Sequence, residues 1–87
     1  MKVIAIESIK DGLMKSYGEG EYIGDKEPDG GWMKDTGIKN PCIKLDNGNF
    51  IWGFQCWWGE VEKFNEKYRD GIKETIIIEV PEIINPK

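Results

Sequence analysis

The chain predicts a mainly β fold of the α+β class: a small antiparallel sheet or partly closed barrel of SH3-like or OB-like size, with one short helix over about residues 60–69. Three observations carry this. Asp11-Gly12 and Asn47-Gly48 are two-residue hairpin signals between runs of strand-forming residues. The runs KVIAIESI at 2–9 and KETIIIEVP at 73–81 are rich in β-branched residues. Helical spacing of apolar residues is confined to one window after Gly59. At 87 residues the chain is read as a single domain spanning 1–87, since natural domains run from about 50 to 250 residues.

Residues 2–9 form the first strand, and the Asp11-Gly12 turn sets Lys10 opposite Leu13, Ile9 opposite Met14 and Ile6 opposite Tyr17. The following stretch, GEGEYIGD, places Gly18, Gly20 and Gly24 around Tyr22 and Ile23. That pattern suits a bent or bulged strand approached closely by another backbone. A phosphate-cradling loop is disfavoured, because acidic residues flank the glycines and no Lys-Ser or Lys-Thr pair follows.

Residues 25–40 have loop composition, with Pro28, Gly30, Gly31, Gly37 and Asn40-Pro41, and only Trp32 and Met33 as large apolar side chains before Ile38. Loops of this length are commonly functional or mobile. Asp25, Glu27, Asp29 and Gly30 match positions one, three, five and six of a calcium loop, but Thr36 stands where the bidentate glutamate belongs and Pro28 stiffens the centre. A solvated acidic loop is the better reading, and no metal or cofactor is expected.

The segment NPCIKLDNGNFIWGFQCWWGE, residues 40–60, holds three of the four tryptophans and both cysteines. A type I′ turn at Asn47-Gly48 would put Leu45 across from Phe50, Ile43 from Trp52 and Pro41 from Phe54, making one apolar wall. In that register Cys42 and Cys56 fall on opposite faces, so free thiols are expected and a disulfide is not. The helix then follows, with Val61, Phe64 and Tyr68 on one stripe, acidic residues in its first turn, Lys67 and Arg69 in its last, and Gly71 as a stop. A helix this short needs docking to persist. In the last strand Ile76, Ile78 and Val80 share a side, Pro81 ends it, and the tail to Lys87 reads as frayed or as a short edge extension.

The formal net charge is −4, and all of it lies between Glu19 and Gly30, where five acidic residues face Lys26 alone. The rest of the chain balances, with no basic stripe of the kind a nucleic-acid backbone binder requires. No apolar run approaches the roughly 20 residues of a membrane span, and the N-terminus lacks the pattern of a signal peptide. A cytoplasmic protein with reduced thiols and no membrane partner is therefore expected. With no histidine and no base paired to either cysteine, the residues do not point to an enzyme.

Aromatic content points to binding instead. Adjacent Trp57 and Trp58 must face opposite ways in a strand, so at least one is exposed unless the helix or loop covers it. The candidate site is Trp32, Trp57, Trp58 and Tyr22 with the acidic residues Asp25, Glu27 and Asp29. A protein partner would use a tryptophan as anchor and the acidic loop as electrostatic complement. A small or cyclic nucleotide could stack on tryptophan, with Lys34, Lys39, Lys44 or Arg69 holding its phosphates. Self-association through an uncovered strand edge is the third possibility, leaving monomer against homo-oligomer undecided.

YGEGEYIGD and the 40–60 segment resemble short uncharacterised proteins of bacteriophages and other mobile elements. The resemblance implies a phage-encoded inhibitor of host defence, working in the host cytoplasm by stoichiometric occlusion of a protein target. It brings no assigned catalytic or binding residues.

Overall fold

The computed structural model describes all 87 residues. Six strands form one sheet: β1 (Lys2–Lys10), β2 (Leu13–Lys26), β3 (Asn40–Leu45), β4 (Phe50–Trp52), β5 (Trp57–Glu60) and β6 (Glu74–Ile77). A single α-helix, α1 (Val61–Tyr68), continues into a 3₁₀ turn at Arg69–Gly71. Strand order is β4-β3-β2-β1-β5, and β6 joins β2 at Leu13–Ser16. The β6 pairing is parallel, whereas all other pairs are antiparallel. The mainly β prediction with one short helix therefore holds.

Gly53–Cys56 joins the sheet's two ends, β4 and β5. A flat five-strand path would set its outer strands about 19 Å apart. The five Cα–Cα steps from Trp52 to Trp57 reach about 18 Å only when fully extended, and this linker contains a turn with Gln55 N–H donating to the Trp52 carbonyl at 2.8 Å. The sheet must therefore roll, yet β4 and β5 do not pair and it stays open.

Rolling produces an inner core and two outer ones. Inside lie Val3, Ala5, Tyr17, Ile43, Leu45 and Ile51, with Trp58, Tyr22, Cys56, Ile78 and Val80 closing on them. Outside, α1 sets Phe64 on Ile4, Ile6 and Met14. A second outer cluster unites Cys42, Trp52 and Ile84, flanked by Ile23, Phe50 and Phe54.

The first hairpin follows its turn signal. Asp11 and Gly12 both have positive φ, 53° and 83°, as a type I′ turn requires, and Lys10 pairs with Leu13 and Ile9 with Met14. The expected Ile6–Tyr17 pair is replaced by Ile6–Ser16, because β1 and β2 are irregular there. Buried Ser16 bridges the irregularity, its Oγ donating to the Ala5 carbonyl at 2.8 Å and accepting from Gly18 N–H at 2.9 Å. β2 also bulges between Tyr22 and Asp25, where Gly24 has φ of 105°. Gly20 is the predicted close approach: a Cβ there would lie 2.8 Å from the Leu45 Cα.

The second hairpin departs from the expected register by one residue. Its pairs are Cys42–Trp52, Ile43–Ile51 and Lys44–Phe50. Gly48 N–H donates to the Leu45 carbonyl at 2.9 Å and Leu45 N–H to Asn49 at 2.8 Å, which makes a three-residue loop with Gly48 left-handed at φ 93°. The slip divides the expected wall, because side chains alternate. Ile43 and Leu45 join Ile51 inside, while Phe50, Trp52 and Phe54 belong to the outer cluster with Cys42.

Of the two expectations for the tail, fraying is overturned, and its end makes a short edge extension through an antiparallel bridge. Ile84 is buried, its carbonyl accepts the Trp52 indole N–H at 2.7 Å, and Gln55 Nε2 donates to the Glu82 carbonyl at 2.9 Å. Beyond this, Pro28 bridges to Pro86, Asp29 N–H donates to Asn85 at 2.9 Å, and Lys87 N–H donates to Glu27 at 3.0 Å. The tail thus pins the loop between β2 and β3, in which Met33 is buried. Both cysteines are free, as expected.

Candidate functional site

The seven residues singled out from sequence do not assemble into one surface. They divide among three aromatic groups and the tail-pinned loop.

Trp57 and Trp58 point to opposite sides of β5, as strand alternation requires. Trp58 pairs with Ala5 along the sheet, packs on the inner core and stacks on Tyr22 with ring centroids 5.3 Å apart at 14°. The Tyr22 hydroxyl donates to Asp25 Oδ1 at 2.6 Å, and this bond raises the phenol's pKa above its usual value. Tyr22 and Trp58 thus engage one ring face each with the other, and Asp25 fixes the Tyr22 hydroxyl.

Trp32 is 75% exposed and meets Phe54 edge-on at 5.8 Å, with Phe54 stacked in turn on buried Trp52. The acidic residues do not converge on a cation site. Asp25 accepts from Tyr22, the Glu27 carboxylate lies 3.5 Å from Lys87 Nζ, and Asp29 is held through its backbone. No group of three or more Cys, Asp or Glu side chains has the geometry to hold a metal ion. Lys87 is shared with Asp35 at 3.1 Å, whose hydrogen bond raises the ammonium pKa. The acidic loop is therefore partly neutralised by the last residue of the chain.

Trp57 belongs to the remaining group. It is 48% exposed and meets Tyr68 edge-on at 5.2 Å and Phe64 at 6.3 Å. Ile6 of β1 lies opposite it in the sheet. Between β5 and α1 these side chains line a cleft of about 200 Å³, with Lys63, Lys67 and Glu60 at its polar margin. Lys67 Nζ sits 5.3 Å from the Tyr68 ring centroid, the Arg69 guanidinium 5.5 Å from that of Phe64, and Lys63 reaches Glu60 at 3.0 Å. The local sequence explains the arrangement: Phe64 and Tyr68 are i and i+4 on one helix stripe, and α1 begins directly where β5 ends. No partner strand lies on the outer edge of β5, so unpaired backbone groups adjoin the cleft.

Sequence reasoning named Trp57 but missed its partners Phe64, Tyr68, Lys63 and Lys67. Helical spacing assigned Val61, Phe64 and Tyr68 to docking, and nothing in that spacing tells that Tyr68 is left at a cleft wall. Of the basic residues nominated for phosphate, Lys34, Lys39 and Lys44 do not line the cleft, and Arg69 packs over Phe64. Neither thiol is activated: burial pushes Cys42 up to about 11 and Cys56 up to about 12. No helix is long and apolar enough to cross a membrane. No protein-family model, curated protein or solved structure matches this chain.

Proposed function

We propose that this protein is a non-catalytic binding module that occludes a protein target by stoichiometric capture, with the Trp57–Phe64–Tyr68 cleft as its anchor point. The observation that carries the reading is the half-exposed Trp57 over a cleft beside an open strand edge. Large aromatic residues in such positions dominate interface energetics. A volume of about 200 Å³ suits one apolar side chain of a partner, being below the roughly 300–1,000 Å³ typical of small-molecule sites. Lys63 and Lys67 favour an acidic flank on the bound segment, and the β5 edge favours an extended one. The likeness to phage proteins supports a host defence protein as target class and the host cytoplasm as the place of action.

The test is capture from host lysate by wild-type protein, Trp57→Ala and Trp32→Ala, each checked for an unchanged melting temperature. A partner retained in about 1:1 ratio by wild type and Trp32→Ala but lost by Trp57→Ala supports the cleft. Equal capture by Trp57→Ala removes it. The nucleotide reading draws on the lysines beside aromatic rings. It requires quenching of tryptophan fluorescence by a member of a mono-, cyclic and dinucleotide panel, and silence across the panel eliminates it.

A further inference from the structure

The β6 strand is unusual in exposing every residue, Glu74 through Ile77, although two of them are isoleucines. Ile77 is 65% and Ile76 40% exposed. One edge of β6 pairs with β2, and no strand lies on the other. Glu74 N–H donates to Gly12 and Ile78 N–H to Ser16, so from Glu74 onward the even-numbered amides face β2, while Lys73 N–H, at the bend before the strand, also donates to Gly12. By alternation the N–H and C=O groups of Thr75 and Ile77 face outward. An open edge carrying two exposed isoleucines, with no proline or bulge within Glu74–Ile77, is the kind that proteins ordinarily protect.

We infer that this edge pairs with the same edge of a second copy, antiparallel across a two-fold axis at Ile76. Charge decides the occupant and the register. In this arrangement Thr75 and Ile77 of each copy exchange backbone hydrogen bonds with Ile77 and Thr75 of the other, as their outward groups require. Ile76 meets its own symmetry mate, and continuing the register past the strand sets the side chain of Lys73, at the bend before β6, toward Glu79, just beyond its end, on either side of the axis. Both are exposed and form no ion pair within the chain. Shifting the register by two residues either way separates Lys73 from Glu79, and an odd shift sets the outward groups of Thr75 and Ile77 opposite residues whose own N–H and C=O are turned to β2. Such an isologous contact is closed, so it yields a dimer and not a fibre. It involves none of the residues at the Trp57 cleft, so each copy keeps its own cleft.

Light scattering or sedimentation equilibrium from about 1 μM to about 1 mM tests the pairing. The mass should rise from one chain toward two, and equally so in Trp57→Ala. Lys73→Glu and Glu79→Lys each create two like-charge pairs and should weaken the dimer about tenfold. The double variant Lys73→Glu/Glu79→Lys should restore it. Under oxidation Ile76→Cys should cross-link through the axis, where facing Cα atoms of a non-hydrogen-bonded antiparallel pair lie about 4.5 Å apart, and Thr75→Cys should not. A wild-type chain that stays monomeric up to about 1 mM overturns the inference and leaves the edge to a strand of another protein. Dimers in which the two single charge variants match wild type, or in which Thr75→Cys cross-links as readily as Ile76→Cys, overturn it as well.

Discussion

The two hairpins carry the same kind of turn signal and answer it differently. At Asp11-Gly12 both residues adopt positive φ and the strands pair as a two-residue turn dictates. The turn is held from outside only through the Gly12 carbonyl, which accepts from Lys73 and Glu74 at the start of β6. That carbonyl is not needed to close the hairpin. At Asn47-Gly48 the amide of Asp46, which would close a two-residue loop by donating to Asn49, donates instead to the Glu19 carbonyl of β2 at 2.9 Å. The Asp46 carboxylate is also held by Lys2 at 2.6 Å, and Asn47 Oδ1 accepts from Asn49 N–H at 2.9 Å. The loop widens to three residues and every side chain beyond it changes face. A turn dipeptide sets register only where its closing amide has no better partner in the neighbouring strand.

The largest test of this difference lies in what the slipped register buries. Trp52→Ala should lower stability by about 4 kcal/mol in denaturant unfolding, because it empties a fully buried site and frees the tail carbonyl it holds. A comparable truncation in the first hairpin, Met14→Ala, removes less volume and should cost about 3 kcal/mol. Had the two-residue register held, Trp52 would stand with Ile43 and the tail would be indifferent to it. Hydrogen exchange at Asp29 and Lys87, whose amides tie tail to loop, should therefore accelerate in Trp52→Ala and not in Met14→Ala.

Gly20→Ala comes next, at about 2–3 kcal/mol, since a methyl group there meets the backbone of Lys44 and Leu45 and drives β3 from β2. Gly48→Ala should cost about 1 kcal/mol for its left-handed φ alone, having open space around it.

Alkaline pH adds a smaller effect centred on the second hairpin and its exit. Thiols in the unfolded chain ionise near pH 8.5, whereas burial holds Cys42 and Cys56 protonated to about 11 and about 12. The folded pKa values are raised, so their contribution is complete below about pH 8.5 and is lost as pH climbs toward the folded values. Melting temperature should fall steadily from pH 9 to 11, and Cys56→Ala should flatten part of that slope. Smallest of all is Lys2→Ala: the pair with Asp46 is solvent-exposed, and the unfolding midpoint should stay near wild type because backbone bonds hold the loop.

Much of the architecture was legible in residue pattern alone. Strand runs, the Asp11-Gly12 turn, the bulged glycine strand, the docked helix and the opposed directions of Trp57 and Trp58 follow from chirality, periodicity and steric limits that act over a few residues. The candidate site was legible only in part. Trp57 could be named because adjacent strand residues cannot share a face, but its cleft needs α1 to settle beside β5, and that depends on how the whole sheet rolls. The register of the second hairpin, the parallel joining of β6 and the seating of Ile84 under the Trp52 indole were decided by tertiary structure. Each is a competition between partners distant in the chain for the same amide, carbonyl or apolar surface, and local sequence does not record which partner wins.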